Sequence, residues 1–103
     1  MKFVIKRPRP VEDDQLAAAL WYDKQQPGLG DDFLDESESV IASLSATALL
    51  HSPKFADVRC ARLRRFHPYG VFYVIRGEEV RLLAILHGAR HPGLLHTRRQ
   101  ELG

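Results

Sequence analysis

The chain has 103 residues, of which 45% are hydrophobic, and its formal net charge is +2. This length predicts a single domain spanning residues 1–103, because a second domain would have too little chain to bury its own core. The apolar content excludes a largely disordered chain. No stretch approaches the roughly 20 apolar residues of a membrane-spanning helix, and the N-terminal residues lack the apolar core of a signal peptide.

The single cysteine, Cys60, cannot form an internal disulfide. A chain with one cysteine fits a reducing cytosol, so we expect a cytoplasmic protein without a membrane partner. In its strand-like context Cys60 is interpreted as a small buried hydrophobe.

Charge is distributed unevenly along the chain. Residues 12–38 carry nine carboxylates against Lys24 alone, whereas arginines concentrate at 59–65 and in the tail. Such asymmetry suggests a negatively charged partner, either an acidic protein segment or a nucleic acid. Solvated strand faces explain the same charges equally well.

Two helices are predicted after a short first strand at residues 3–5. In the first helix, from Val11 to about Gln26, apolar residues recur at helical spacing and predict its apolar face: Leu16, Ala17, Leu20 and Trp21. The segment from Gln26 to Gly30 contains one proline and two glycines and must break the helix. Asp31 or Asp32 is expected to cap a second helix, which fades near Leu50.

Three strands are predicted in the second half, at residues 58–66, 69–76 and 80–87. In the first, Ala61 and Leu63 alternate with Arg62 and Arg64. The third is apolar on both faces, and strict alternation places Leu83 and Ile85 on the face opposite Val80, Leu82, Ala84 and Leu86. A helical hairpin shields one face only, so the C-terminal segment, a second copy or another chain must cover the other.

The element order is therefore β-α-α-β-β-β. It predicts an α+β fold in which the N-terminal strand and a helical hairpin pack on a small antiparallel sheet. From about residue 93 the tail is expected either to form a short helix or to fray.

Conventional catalytic signatures are largely missing from the sequence. The glycines at 28 and 30 lack the lysine and preceding strand of a phosphate loop. His87 and His91 are poorly spaced for metal, so we expect no metal site and no cofactor. Basic residues remain as candidates, because arginine can stabilise a pentavalent phosphate without metal. They are Arg62, Arg64, Arg76 and Arg90, with His67, His87 and Tyr73. The same residues suit an acidic partner equally well.

Four short motifs follow one another along the chain, and their order and spacing are informative: Trp21-Tyr22-Asp23, Pro27-Gly28-Leu29-Gly30, Arg62 to Tyr69, and Ala84 to Arg90. In their order and spacing the chain resembles toxins of the RelE/ParE superfamily, which belong to type II toxin–antitoxin pairs of the plasmid-stabilisation type. The likeness extends from the first strand to Pro92. It implies a cognate antitoxin that wraps and neutralises the toxin.

The superfamily contains two mechanisms. RelE-like members cut messenger RNA within the ribosome, and ParE-like members poison DNA gyrase without catalysis. RelE-like nucleases commonly place an arginine after the tyrosine that opens the third strand of this sheet, and here Gly70 follows Tyr69. No tyrosine follows Tyr73, although the nucleases commonly carry a late one. These departures favour a ParE-like toxin.

A metal-independent endoribonuclease is the alternative. Its candidate catalytic residues are Arg62, Arg64, Arg90, His67 and His91. The residues expected to bind the target or the antitoxin are Arg62, Arg64, Arg76, Leu83, Ile85 and Arg90. Trp21, Tyr22 and Phe33 are interpreted as packing within the helical hairpin.

Overall fold

The structure, a computed structural model, describes residues 2–88 and 92–102. Its helices are α1 (Arg9–Gln25), α2 (Leu29–Thr47) and α3 (Pro92–Leu102), with one 3₁₀ turn at Ala48–Leu50. Its strands are β1 (Val4–Lys6), β2 (Pro53–Phe55), β3 (Val58–Arg62), β4 (Tyr69–Arg76) and β5 (Glu79–His87).

The five strands form one mixed sheet in the order β1-β5-β4-β3-β2. Strand β1 runs parallel to β5, and the other neighbours are antiparallel. The α+β class is therefore confirmed, with one strand more than predicted. The prediction of an antiparallel sheet is wrong for β1, which runs parallel to β5, and β3 ends at Arg62, before the predicted residue 66. Strand β2 was missed because it has three residues and begins at Pro53, and proline is tolerated there because β2 lies at the sheet edge.

The turn between α1 and α2 is closed by Asp23. Gly28 occupies the N-cap position of α2 with a φ of 93°, a left-handed conformation that glycine adopts without a Cβ clash. The backbone N–H groups of Gly28 and Gly30 donate to Asp23 Oδ1, at 2.9 and 3.2 Å. The prediction that Asp31 or Asp32 caps α2 is wrong, since both already lie within its first turn.

The hairpin packs on one face of the sheet. Phe33, Ile41 and Leu44 of α2 are buried there against Leu63 and Tyr73. The Tyr73 hydroxyl donates to the carbonyl of Ala48 at 2.6 Å. Burial raises the pKa of Tyr73 to about 12, so this phenol stays protonated and keeps its hydrogen bond.

Helix α1 buries a different face from the one predicted. Val11, Gln15, Ala18 and Ala19 lie against the core. Leu16, Leu20 and Trp21 are each more than half exposed. Small side chains face the sheet because they allow the helix to approach it closely, and the larger apolar residues form a strip on the outer surface.

Strand β5 contains a bulge at Leu83. Phe72 pairs with Ala84 but Tyr73 pairs with Leu82, so Leu83 has no partner across the ladder. A bulge resets the alternation of side chains. Leu83 and Ala84 consequently share one face, and Ile85 joins Val80 and Leu82 beneath the helical hairpin. The prediction of strict alternation along this strand is therefore wrong.

The second face of the sheet is covered by α3. Leu95 is buried in an apolar cluster on this face. Its other buried members are Val58, Cys60, Phe72, Val74, Leu83 and Ala84. Of the three covers considered for this face, the C-terminal segment is the one present, and an uncovered sheet face no longer argues for a partner. The burial of Cys60 is confirmed.

Candidate functional site

A groove of about 530 Å³ lies between α1 and the last residues of β5. Its helical wall is formed by Asp14, Ala17, Trp21 and Tyr22, and its opposite wall by His67, Tyr69 and His87. The volume is within the range of ordinary ligand sites, about 300–1,000 Å³.

The groove exists because β1 stops short. Strand β1 pairs with β5 only as far as Arg81, so the outer edge of β5 continues without a neighbouring strand in the described residues. At the bulge this edge is satisfied by two side chains. Asp14 Oδ2 accepts from the Ile85 N–H at 3.1 Å, and Arg98 Nη1 donates to the Leu83 carbonyl at 2.9 Å.

Asp14 and Arg98 also form a partly buried ion pair, with 2.5 Å between Nη1 and Oδ2 and side-chain exposures of 18% and 11% for Arg98 and Asp14. The pair ties α3 to α1 across the edge of β5. Beyond it, from Ile85 to His87, the strand borders the groove. No sequence pattern singles out Asp14 or Arg98 for this role. Asp14 is 71 positions from Ile85 and 84 positions from Arg98.

Aromatic rings form the floor and lip of the groove. Tyr22 packs against Phe33, Phe66 and Tyr69, with ring centroids 4.7–5.7 Å apart. Burial raises the pKa of the Tyr22 phenol above its ordinary value, so it is neutral at physiological pH. Trp21 stands edge-on to Tyr22 at 5.0 Å but is 53% exposed. The interpretation of Trp21 as hairpin packing is therefore only partly right.

His67 and His87 both line the groove. The His87 ring lies 5.8 Å from that of Tyr69, and its buried Nδ1 has no hydrogen-bond partner within residues 2–88 and 92–102. His67 is exposed and precedes Pro68, whose carbonyl accepts from the Gly88 N–H at 2.9 Å. This bond holds the end of β5 against the loop that precedes β4.

Arg62 lies at the same end of the sheet. It ends β3 opposite Gly70, and a methyl group on Gly88 would lie 3.5 Å from its Nη1. Arg62 therefore lies beside Gly88, the residue that follows His87 in the chain. Arg64 is exposed in the turn that follows β3. Its neighbour Arg65 pairs with Asp32 at 3.0 Å.

Arg76 lies apart from this group. It is at the far end of β4, opposite Glu79, and donates to Asp57 at 2.8 Å. Arg99 of α3 donates to the same carboxylate at 2.6 Å. These hydrogen bonds, the one from Arg99 first, lower the pKa of Asp57. Asp57 thus joins the β2–β3 turn to β4 through Arg76 and to α3 through Arg99. Arg76 is separated from Arg62 by the length of β4.

The other expected binding residues fall into two groups. Leu83 and Ile85 are 2% and 1% exposed and lie on opposite faces of the sheet, so they cannot form one surface. The predicted alternation of side chains along β5 is wrong at these two residues, because the bulge at Leu83 arises from tertiary packing. Arg90 and His91 lie outside the described residues.

Gly70 is enclosed by β3. A Cβ at this position would lie 2.5 Å from the Cys60 Sγ, a distance that forces one of the two to move. Burial raises the pKa of the Cys60 thiol, which disfavours the nucleophilic thiolate. The position that carries an arginine in RelE-like nucleases has no room for a side chain here.

Residues 2–88 and 92–102 contain no group of three His, Cys, Asp or Glu side chains arranged to hold a metal ion. None of their helices has the length and apolar character to cross a membrane.

The fold and groove define a small α+β protein with a helical hairpin on a mixed sheet. The model of the ParE toxin of type II toxin–antitoxin systems, parDE, matches residues 5–92. The chain therefore belongs to this family.

A solved structure described as a chromosomal ParDE toxin–antitoxin system from P. aeruginosa is similar in fold. It superposes with a TM-score of 0.73 at 19% identity, over 84% of this chain and 96% of that chain. Identity at this level shows the shared fold. No curated protein matches the sequence. The predicted membership of the RelE/ParE superfamily, on its ParE side, is confirmed.

Proposed function

We propose that this type II toxin inhibits a bacterial target such as DNA gyrase by binding it, and that a cognate antitoxin neutralises it in the cytoplasm. Membership of the ParE family supports the antitoxin partner and the non-catalytic mode of action. The exposed strip of Leu16, Leu20 and Trp21 on α1 supplies apolar surface for protein contacts.

The contact between Gly70 and Cys60 carries the choice of mechanism. An arginine that donates to a developing charge is worth about 3–4 kcal/mol at a transition state. In this chain the Cys60 thiol occupies the space beside Gly70, so no arginine at this position stabilises a transition state. Poisoning a target by binding requires no such group.

Inducible expression in a bacterial host tests the proposal. We expect growth arrest with a DNA-damage response and intact messenger RNA, and recovery when the cognate antitoxin is co-expressed. The purified chain should inhibit supercoiling by gyrase in vitro. Messenger cuts at fixed codon positions, with no DNA-damage response, would contradict it.

A ribosome-dependent endoribonuclease is the second candidate, favoured by the position of Arg62 beside Gly88, at the end of the groove that His67 and His87 line. Arg64 and Arg90 complete the basic set that this reading requires. It predicts messenger cleavage that needs ribosomes and disappears in Arg62→Ala and Arg90→Ala. Arg9→Ala, at the start of α1 and exposed, is the control that should keep cleavage.

A further inference from the structure

We infer that two copies of this chain pair through the outer face of α2, in an antiparallel arrangement about a twofold axis at Ala46. The residues of this face, which we call the α2 seam, are exposed and spaced three and four apart along α2 and the 3₁₀ turn that follows it. They are Ser39, Ala42, Ser43, Ala46, Leu49 and Leu50. The inference goes beyond the proposed function, because it concerns neither the antitoxin nor the target.

The α2 seam ends in the two most exposed leucines of the described residues. Leu49 is 64% exposed and Leu50 is 79% exposed. Burying such side chains is favourable by about 25 cal/mol for each Å² of apolar surface removed from water. No element within residues 2–88 and 92–102 covers them, which leaves a small apolar patch open to another molecule.

The rest of the α2 seam has the shape to receive these leucines. Ala42, Ser43 and Ala46 have small side chains, so a second helix can approach closely. The Ser43 hydroxyl donates to the Val40 carbonyl at 2.7 Å, so burial of this hydroxyl leaves it with a hydrogen-bond partner. In an antiparallel pair centred on Ala46, Leu50 of each copy lies over Ala42 of the other, because both are four residues from the centre.

Charge favours the antiparallel arrangement. Residues 31–38 carry five carboxylates and no Lys or Arg, whereas residues 39–53 carry no Asp, Glu, Lys or Arg. Basic groups follow at the opposite end, where Lys54 is exposed on β2 and Arg59 Nη1 donates to the His51 carbonyl at 2.6 Å. An antiparallel pair brings the acidic end of each copy toward the basic end of the other, whereas a parallel pair sets like charges together.

A second copy is the partner that this face fits. The leucines, the small residues that receive them and both charged ends lie on one surface, and a twofold axis requires a surface that is complementary to itself. The groove between α1 and β5 takes its lining from α1, β4, β5 and the loop that precedes β4. Pairing through α2 therefore uses neither groove of the dimer.

Sedimentation equilibrium of the purified chain over a range of concentrations tests the pairing. We expect a monomer–dimer equilibrium, because so short a seam buries less area than an obligate dimer interface. Leu50→Ala should raise the dissociation constant of the dimer by about tenfold, as expected for a buried apolar anchor. Leu20→Ala is the matched control. It removes the same side chain from a position on α1 that is 57% exposed, and it should leave the dissociation constant unchanged.

Introduced cysteines test where the axis lies. In Ala46→Cys the two new thiols meet at the axis and should form a disulfide between copies, since a disulfide needs Cα atoms within about 7 Å. In Ser39→Cys the two thiols lie about 21 Å apart along the helices, at 1.5 Å per residue, so we expect no cross-link. Cys60 is buried and does not compete. A parallel pair would cross-link at both positions.

Charge reversal tests the direction of the pair independently. Lys54→Glu places a carboxylate opposite the acidic end of the other copy and should raise the dissociation constant by about threefold. The difference should shrink as salt is added, because salt screens exposed charges. Lys24→Glu makes the same change at an exposed position near the end of α1 and should have no effect.

The outcomes separate the inference from the proposed function, because none of them depends on the antitoxin or the target. A chain that stays monomeric at every concentration overturns the inference. So does a dimer that Leu20→Ala weakens and Leu50→Ala does not, which would assign the contact to α1. Cross-linking of Ser39→Cys as readily as Ala46→Cys overturns the antiparallel arrangement. Circular dichroism checks that each variant is folded, as expected for substitutions at exposed positions.

Discussion

At the scale of single residues, Gly70 is constrained by its close approach to Cys60. Here the Cys60 thiol on β3 occupies the space that a side chain at Gly70 on β4 would need. The sequence showed that an arginine is missing at this position. Only the structure shows why no arginine fits, since the reason is a residue ten positions earlier on the adjacent strand.

Gly70→Ala should therefore lower the free energy of unfolding by about 1–3 kcal/mol, the usual cost of overpacking a core. Cys60→Ala removes the Sγ that the new methyl group would meet. The double variant Gly70→Ala with Cys60→Ala should recover part of this loss, as urea denaturation can measure.

Gly93→Ala is the control for this cycle, because a Cβ at Gly93 meets nothing within 4 Å. It should leave stability unchanged or raise it slightly, as alanine is the better helix former. Equal losses in Gly70→Ala with and without Cys60 would show that the cost does not come from this contact.

At the scale of elements, the helical hairpin is closed by one carboxylate that the sequence did not single out. Asp23 precedes the breaker and accepts two backbone N–H groups beyond it. The composition of the breaker predicted a turn correctly, but the identity of the capping residue depends on how the chain folds back.

Asp23→Ala should cost about 0.5–2 kcal/mol of stability, the range measured for lost N-terminal caps. Asp31→Ala is the matched control. It removes a carboxylate that interacts only with the helix dipole, worth about 0.3–1 kcal/mol at most. Thermal unfolding of both variants compares the two, and a larger loss in Asp31→Ala would contradict the assignment.

Helix α3 depends on one buried leucine. Leu95 is 6% exposed, whereas its neighbour Leu94 is 36% exposed. Leu95→Ala should cost about 2–3 kcal/mol, because it leaves a cavity over the sheet.

Leu94→Ala makes the same chemical change on the outer side of α3 and should cost well under 1 kcal/mol. Binding of a dye specific for exposed apolar surface should rise in Leu95→Ala only. Similar behaviour of the two variants would mean that α3 does not cover this face in solution.

At the scale of the whole molecule, distant elements are joined by carboxylates whose pKa values are depressed. Arg7 before α1 binds Glu38 on α2 and lowers its pKa. Asp57 is held by Arg99 and Arg76, which lower its pKa as described above. Both carboxylates are partly exposed, so solvent screening limits the contribution of each.

Stability should therefore fall in acid. A carboxylate with a folded pKa below its unfolded value stabilises the fold above the unfolded value, about pH 4. That contribution disappears as the pH drops through the lower, folded pKa. Asp57→Asn should be less stable than the unmodified chain at pH 7 and should match it more closely near pH 3.

Urea denaturation at a series of pH values measures this difference. Asp35→Asn, at an exposed position of α2, is the control and should run parallel to the unmodified chain. A gap between Asp57→Asn and the unmodified chain that stays constant from pH 7 to pH 3 would contradict the linkage.

The sequence by itself determined the helical hairpin, the three long strands and the family, because these depend on local breakers, periodicity and the order of short motifs. Tertiary structure decided which face of α1 is buried, where β5 bulges, what covers the second sheet face and which basic residues meet. The edge of β5, for example, is satisfied by Asp14 and Arg98, which are 84 positions apart. Such contacts follow from register and packing across the whole chain, and no local pattern encodes them.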